Sequence, residues 1–364
     1  MDFTLTEAQD DLAELTRKIL DDQVTNERLR EVERGEDRFD RALWTQLATA
    51  EVLGAGLPES VGGGGFGLLE QCSVLIELGR AVAPVPYLSS ITTAAAAIAR
   101  FGTEQQQRRW AAPAARGELV LTAALTEEHN PTPAVPSCQA ERRGGEWVLT
   151  GSKTGVPAGA MADLVLVPAS TSEGPRVFVV EPDRLTAQRQ RVVDSDSEAW
   201  LDLGGVRVGD DRVLGGDPVL GWLLARATVG SCAHQAGVVS RALEMTSEYA
   251  RERVQFGRPI GSFQAVAQRL ADAFIDVEAA RLTLWQAAWR LEEGLPCAAE
   301  LATAKFWAAE AGHRVAHTAV HVHGGVGIDL DHPLHRYFVA AKRNEFSLGA
   351  AAVQLGRLGD ALAG

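Results

Sequence analysis

Two arginines and a glutamine, Arg253, Arg258 and Gln264, lie along the Gly-Pro stretch RERVQFGRPIGSFQAV, between two long runs of helical periodicity. Guanidinium forks match phosphate oxygens, and a helix N-terminus following the turn offers free N–H groups. These residue types at this spacing can therefore hold a phosphate-bearing ligand. The same pattern also describes an arginine-rich helix end whose cations bond the last carbonyls, and spacing alone leaves both readings open. His313, His317 and His321 recur at i, i+4 and i+8, a spacing able to bind metal. No HExxH motif or acidic third ligand accompanies them, so packed or interface histidines are expected and no metal is assigned. His332 and His335, flanking Pro333, read as turn and helix-cap residues with a subunit contact. A formal G-x-G-x-x-G at Gly62, Gly64 and Gly67 has no strand before it. It also lacks the acidic residue about 20 positions on that a ribose would need, so it is read as a flexible connection between helices.

The elements that must position these residues fall into three textures. Residues 1–118 are helical, with Phe3, Leu5, Leu12, Leu15 and Leu20 marking a first helix and Trp44, Leu47 and Val52 a second. Residues 119–216 alternate β-rich runs with Gly, Pro and Asp turns. The runs are Leu119–Leu125, Trp147–Thr150, Leu164–Val167, Val177–Val180, Arg191–Val193 and Val206–Val208, as in an antiparallel sheet or small barrel. Residues 217–364 return to long helices of about 25 to 38 residues, broken by the arginine turn, by 294–297 and by 323–333. Leu243, Tyr249 and Ala250 close the helix before the turn; Val266, Leu270, Phe274 and Val277 open the one after it. The expected fold is mainly α with a β middle domain: an N-terminal helical domain, an antiparallel β-sheet or barrel domain, and a C-terminal four-helix bundle.

A chain of 364 residues is long enough for two or three such layers. A net charge of −13 argues against nucleic acid or an anionic membrane surface as partner. The cysteines at 72, 138, 232 and 297 form no CxxC pair and read as reduced thiols. The start, MDFTLTEAQDDLAELT, has neither a basic nor an apolar leader region, and the longest apolar stretch, near Ala94–Ala99, is short. A cytoplasmic protein without membrane insertion is expected.

Four segments together resemble the acyl-CoA dehydrogenase family over essentially the whole length. They are LWTQLATAEVLGAGLPESVGGGGFG, LTAALTEEH with WVLTGSKTGVPAGAMADLVLV, RERVQFGRPIGSFQAV, and HVHGGVGIDLDHPLHRY. The resemblance implies α,β-dehydrogenation of an acyl-CoA thioester with FAD: a carboxylate removes the α-proton while a β-hydride passes to the flavin. It also implies a flavin cradle on one subunit completed by contacts from a neighbour.

Carried over residue by residue, the contacts offered to a neighbour's FAD are kept. Arg253 stands at the pyrophosphate-binding arginine, Phe256 and Gln264 keep their places, and Gly324, Gly325 and Gly327 allow close backbone approach. His321 stands where the family has a glutamine. The contacts to the chain's own flavin are lost. The family's T-E-P-x-x-G-S-D is Thr126-Glu127-Glu128-His129-Asn130-Pro131, and its K-x-W-I-T is Lys153-Thr154-Gly155-Val156-Pro157. The catalytic glutamate position falls on Leu348, and a second family location for that base falls near Ala227, beside Ala225 and Arg226. Glu345, three residues before Leu348, is the remaining carboxylate near that position.

The resemblance thus implies the base-less subunit of a heteromeric (α2β2) bacterial enzyme, of the kind used on sterol side-chain CoA esters. Its partners would be a sister acyl-CoA dehydrogenase subunit, an acyl-CoA substrate and electron-transfer flavoprotein as acceptor. The alternatives are a self-sufficient homodimer with Glu345 as displaced base, and a non-catalytic acyl-CoA-binding or structural protein.

Overall fold

Thr6 starts the first helix, Glu7–Gln23, with a capping box: its hydroxyl accepts from Gln9 N–H while the Gln9 side chain accepts from Thr6 N–H. The computed structural model describes residues 3–215 and 218–363, and the expected domain boundary at 216/217 lies outside the described residues. The chain divides into two compact units, one of Met1–Arg28, Leu68–Ala83 and Thr228–Gly364, the other of Leu29–Gly67 and Pro84–Ala227.

The first unit is helical. Arg17 pairs with Glu77 at 2.8 Å, tying the first helix to Leu68–Arg80. That second helix crosses Val219–Glu252 at backbone contact. A Cβ on Gly79 would lie 2.1 Å from the His234 carbonyl, and one on Gly237 would lie 2.0 Å from that of Ile76. Gln264–Glu292 and Ala298–His323 follow as long helices. The Gln235 carboxamide is buried among them. It donates to the Ala308 and Ala341 carbonyls and accepts from Asn344, so its donor and acceptor are both satisfied away from water.

The last expected long helix is in fact two, Leu334–Phe346 and Ala351–Ala363. Leu348 and Gly349 both take left-handed φ, +58° and +103°, which ends the helix. Gln354 donates to the Leu348 and Gly349 carbonyls, Arg357 donates to that of Leu348, and the buried Lys305 ammonium donates to that of Asn344 at 2.7 Å. The carbonyls freed by the break are thereby satisfied.

The second unit contains the two larger sheets. Its strands are β1 Leu121–Ala123, β2 Gln139–Arg143, β3 Glu146–Thr150, β4 Ser152–Pro157, β5 Leu164–Thr171, β6 Gly174–Val180, β7 Thr186–Arg191, β8 Ser197–Asp202, β9 Val206–Val208 and β10 Val213–Leu214. One sheet runs β10-β6-β5-β2-β3-β9, and β1 lies parallel beside β5; the other runs β4-β8-β7. The pairing is antiparallel apart from β1–β5 and a single parallel pair, Gln139–Ser170. Val165, Val167 and Phe178 of the first sheet and Val156, Ala199 and Leu201 of the second share one buried core.

The run read as Arg191–Val193 lies earlier, at Thr186–Arg191, because Val193 is exposed in the turn that follows. The glycine loop is not flexible in its bonding. Gly64, Gly65 and Phe66 donate to the Gly54, Leu57 and Ala55 carbonyls, and a Cβ on Gly63 would lie 2.2 Å from Leu57 O. Gly63 and Gly64 serve close packing of the chain on itself, whereas Gly62 and Gly65 take left-handed φ of +79° and +76°. Among the described residues, no helix is long and apolar enough to cross a membrane.

Candidate functional site

The arginine turn is a β-hairpin, β11 Val254–Gln255 and β12 Arg258–Pro259, with Val254 opposite Pro259 and Gln255 opposite Arg258. Phe256 and Gly257 form its turn, both with φ above zero, +52° and +79°. Such a turn matches the strand twist and suits glycine, but it costs a phenylalanine on the order of 1–3 kcal/mol. The strained Phe256 ring is also 93% exposed. Its nearest aromatic is Phe263, edge-on at 6.2 Å, over which the Arg258 guanidinium lies at 4.3 Å. Arg253 is held through its backbone: its N–H donates to Tyr249 O and its carbonyl accepts from Ile260 N–H, both at 2.8 Å. Its side chain is exposed and makes no hydrogen bond or ion pair among the described residues. Gln264 opens the next helix, whose preceding residue, Phe263, supplies no side-chain cap. Phe274 and Ile275, farther along that helix, are exposed, so the apolar stripe expected there divides, with Val277 buried and Phe274 outward.

Gly324 ends the Ala298–His323 helix at φ +62°, ψ −138°, a region that only glycine enters readily. A Cβ on Gly324 or Gly325 would meet nothing within 4 Å, so a ligand could approach that backbone closely. Gly327 is different: a Cβ there would press on Val320 at 3.0 Å, which explains this glycine by packing within the chain. His321 is exposed beside the turn, while His323 is buried and stacks on Tyr249, ring centroids 4.3 Å apart. Tyr249 accepts the Arg253 N–H through its carbonyl and holds His323 through its ring. One residue thereby joins the hairpin to the glycine turn. An exposed arginine, an uncapped helix N-terminus and an open glycine turn fit a pyrophosphate-bearing group such as FAD.

The segments of the second unit that correspond to an own-flavin cradle are engaged internally. Glu127 is paired with Lys153 at 2.7 Å, both buried, and accepts from Asn130, Ser137 N–H and Cys138 N–H. Burial works against its charge, but the hydrogen bonds from Lys153 and Asn130 and the Lys153 cation outweigh burial and bring the carboxyl down to about 2. Thr126 donates its hydroxyl to Thr154 O and accepts Thr154 N–H. Beside the second location for a base, Arg226 is buried, donates to Thr92 O at 3.1 Å and lies 4.7 Å from the Trp222 ring.

Leu348 lies in the break between the last two helices, not on a helix. Glu345 is largely enclosed, its side chain 13% exposed, bonded to Lys342 at 2.5 Å and facing His313 at 3.4 Å. His317 packs against His313 and Phe338. Among the described residues, no three His, Cys, Asp or Glu side chains converge as a metal site. His332 accepts Leu334 N–H, and the His335 ring contacts the His332 carbonyl, so both sit at the start of the Leu334–Phe346 helix.

Residues 6–118 match the description acyl-CoA dehydrogenase, N-terminal domain, and residues 215–363 match acyl-CoA dehydrogenase, C-terminal domain. The chain belongs to the acyl-CoA dehydrogenase family. It is 50% identical to acyl-CoA dehydrogenase FadE27 of Mycobacterium tuberculosis, covering 100% of this chain and 99% of that protein. Its fold superposes on a chain of the ChsE4–ChsE5 complex from Mycobacterium tuberculosis with a TM-score of 0.96 and 50% identity, over 100% and 99% of the two chains. A variant of the Tcur3481–Tcur3483 steroid ACAD gives 0.94 and 42%, over 99% of each chain. Acyl-CoA dehydrogenases are FAD-dependent oxidoreductases, and this chain is one of them by family.

Within that acyl-CoA dehydrogenase frame, sequence motifs nominate Arg253, Phe256, Gln264, His321, Gly324 and Gly325. They did not locate Tyr249 and His323, which join the two halves, nor Gln190, described below. An aromatic one turn before the arginine turn and a histidine just before the glycines were the available signals.

Proposed function

We propose that this chain is the base-less subunit of a heteromeric acyl-CoA dehydrogenase. Arg253, Phe256, Gln264, His321, Gly324 and Gly325 would contact FAD held mainly by a sister subunit. FAD, when bound, takes up the β-hydride, and the α-proton goes to a glutamate of the sister chain. In this reading Arg253 neutralises pyrophosphate charge, Phe256 covers the ligand's apolar side, and the glycine turn lets backbone N–H groups come close.

The observation that carries the proposal is Phe256, strained and 93% exposed on a hairpin beside an arginine whose side chain has no partner among the described residues. A second chain would bury what this one leaves open. Leu348 at the base position, and buried Ala227 beside Arg226 at the alternative one, support the same division of labour. The similar structures come from a ChsE4–ChsE5 complex and a steroid ACAD, which favours a bulky sterol side-chain CoA ester as substrate. Electron-transfer flavoprotein is the proposed acceptor. Free cysteines, three of them buried, fit a reducing, cytoplasmic setting. The domain limits proposed remain 1–118, 119–216 and 217–364.

Co-expression with the sister chain tests this: the pair should carry one FAD per two chains and turn over, and this chain alone should be colourless. A yellow, active homodimer would defeat the proposal and favour Glu345, which Glu345→Gln would then inactivate.

A further inference from the structure

Strand β4 breaks register against β8. Lys153 faces Leu201, pairing resumes only at Val156 opposite Ala199, and Thr154 and Gly155 fall in the gap, with Gly155 at φ +56°. A bulge of this kind takes residues out of the ladder, so the Gly155 amide needs a partner from elsewhere. The partner is Gln190, two strands away on β7. Its Oε1 accepts from Gly155 N–H at 2.8 Å and its Nε2 donates to Thr154 Oγ1 at 3.0 Å. Gln190 pairs with Glu198 of β8, so its side chain reaches the bulge across that central strand. Glu198 closes the other side, with Oε2 3.4 Å from where a Gly155 Cβ would stand.

We infer that Gln190 is a resident ligand of the Thr154–Gly155 bulge, completing β4 in this subunit without a flavin. The inference rests on the proposal that this chain's own flavin contacts are lost. A primary carboxamide presents an acceptor next to a donor, the same pair found along the imide edge of an isoalloxazine ring. Held in the chain, it satisfies both groups at once. A ring arriving at this bulge would have to displace Gln190, and on reduction would gain negative charge close to the Glu198 carboxylate. The device thus assigns the flavin to the other chain by filling this place, beyond merely lacking contacts for it.

The test is amide exchange at Gly155 in the purified two-chain complex, with FAD bound and after FAD is stripped. Gly155 should be slow in both states, and Gln190→Met, of similar shape but without the carboxamide, should speed its exchange about tenfold in both while β5 and β6 amides stay unchanged. Thr154→Val, which keeps Gln190 Oε1 as acceptor, should leave Gly155 within a few-fold of wild type and serves if Gln190→Met does not fold. Gly155 slow with FAD and fast without it would overturn the inference, as would no response to Gln190→Met or a loss of protection in Thr154→Val equal to that expected of Gln190→Met. FAD per pair, read on the same samples, reports the subunit proposal separately: two flavins per pair would sink that proposal, whereas the exchange pattern judges Gln190.

Discussion

Tyr249 and His323 lie face to face, 4.3 Å between ring centroids and 19° from parallel. The stack joins the end of the Val219–Glu252 helix, just before Arg253, to the helix end that becomes the glycine turn. Tyr249 also accepts the Arg253 N–H through its carbonyl, so one residue contacts both segments. Tyr249→Ala should cost about 0.5–1.5 kcal/mol beyond the lost burial. In the two-chain complex it should hasten FAD release without altering assembly, as seen by flavin fluorescence and size-exclusion chromatography.

If Arg253 contacts the flavin as proposed, Arg253→Ala removes a charge-assisted bond, and among the described residues its side chain makes no hydrogen bond or ion pair that would be lost. Such bonds contribute about 1.5–3 kcal/mol, so FAD should bind the complex roughly 10- to 100-fold more weakly, and the thermal stability of this chain alone should not change. Unaltered FAD affinity would point instead to a structural or acyl-CoA-binding role.

The His323–His332 pair gives a pH signature. Burial, and then the neighbouring histidine, lower the His323 value; burial, and then His335, lower that of His332. The folded state therefore favours neutral rings, and the unfolded chain takes up protons first as pH falls below 6.5. Their contribution is present above 6.5 and is lost as pH drops toward the lower folded values. Melting temperature should fall across this window, and His323→Phe should flatten part of the slope.

Lys153 and Glu127 form a buried pair in which neither partner can lose the other cheaply. Lys153→Met leaves the Glu127 charge buried and should destabilise the chain by about 3–5 kcal/mol in denaturant titrations. Glu127 stands at about 2 against an ordinary 4.5, so its contribution holds above 4.5 and disappears as pH falls toward 2.

Leu348 pays for its left-handed backbone with strain that a glycine would not bear. Leu348→Gly should leave turnover of the complex unchanged and move stability by no more than about 1 kcal/mol in either direction, relief of strain offsetting added chain freedom. If this chain holds no flavin of its own, as proposed, Leu348→Glu should not create a second active site; FAD content and turnover per pair are the readouts.

How much of this was legible in the sequence varied with the kind of signal. Helical periodicity placed the Val219–Glu252, Gln264–Glu292 and Ala298–His323 helices, and short motifs placed the hairpin and glycine turn. β2 was missed because its QAERR run has almost no buried face, and β8 because Ser197, Ala199 and Leu201 alternate too weakly in size. The break at Leu348 was masked by an otherwise continuous helical pattern. Gln190 could not be found from sequence, since its meaning arises from reaching a bulge two strands away.

The glycines at 79 and 237 set an order on how the molecule is made. The Leu68–Arg80 helix leaves the ribosome early, yet the helix it must touch backbone to backbone is encoded beyond residue 218. Synthesis from the N-terminus therefore lets the second unit close first, from 29–67 and 84–227, while two pieces of the first wait for its third, 228–364, to emerge. During that interval Gly79 and its neighbours face water with their partner unmade.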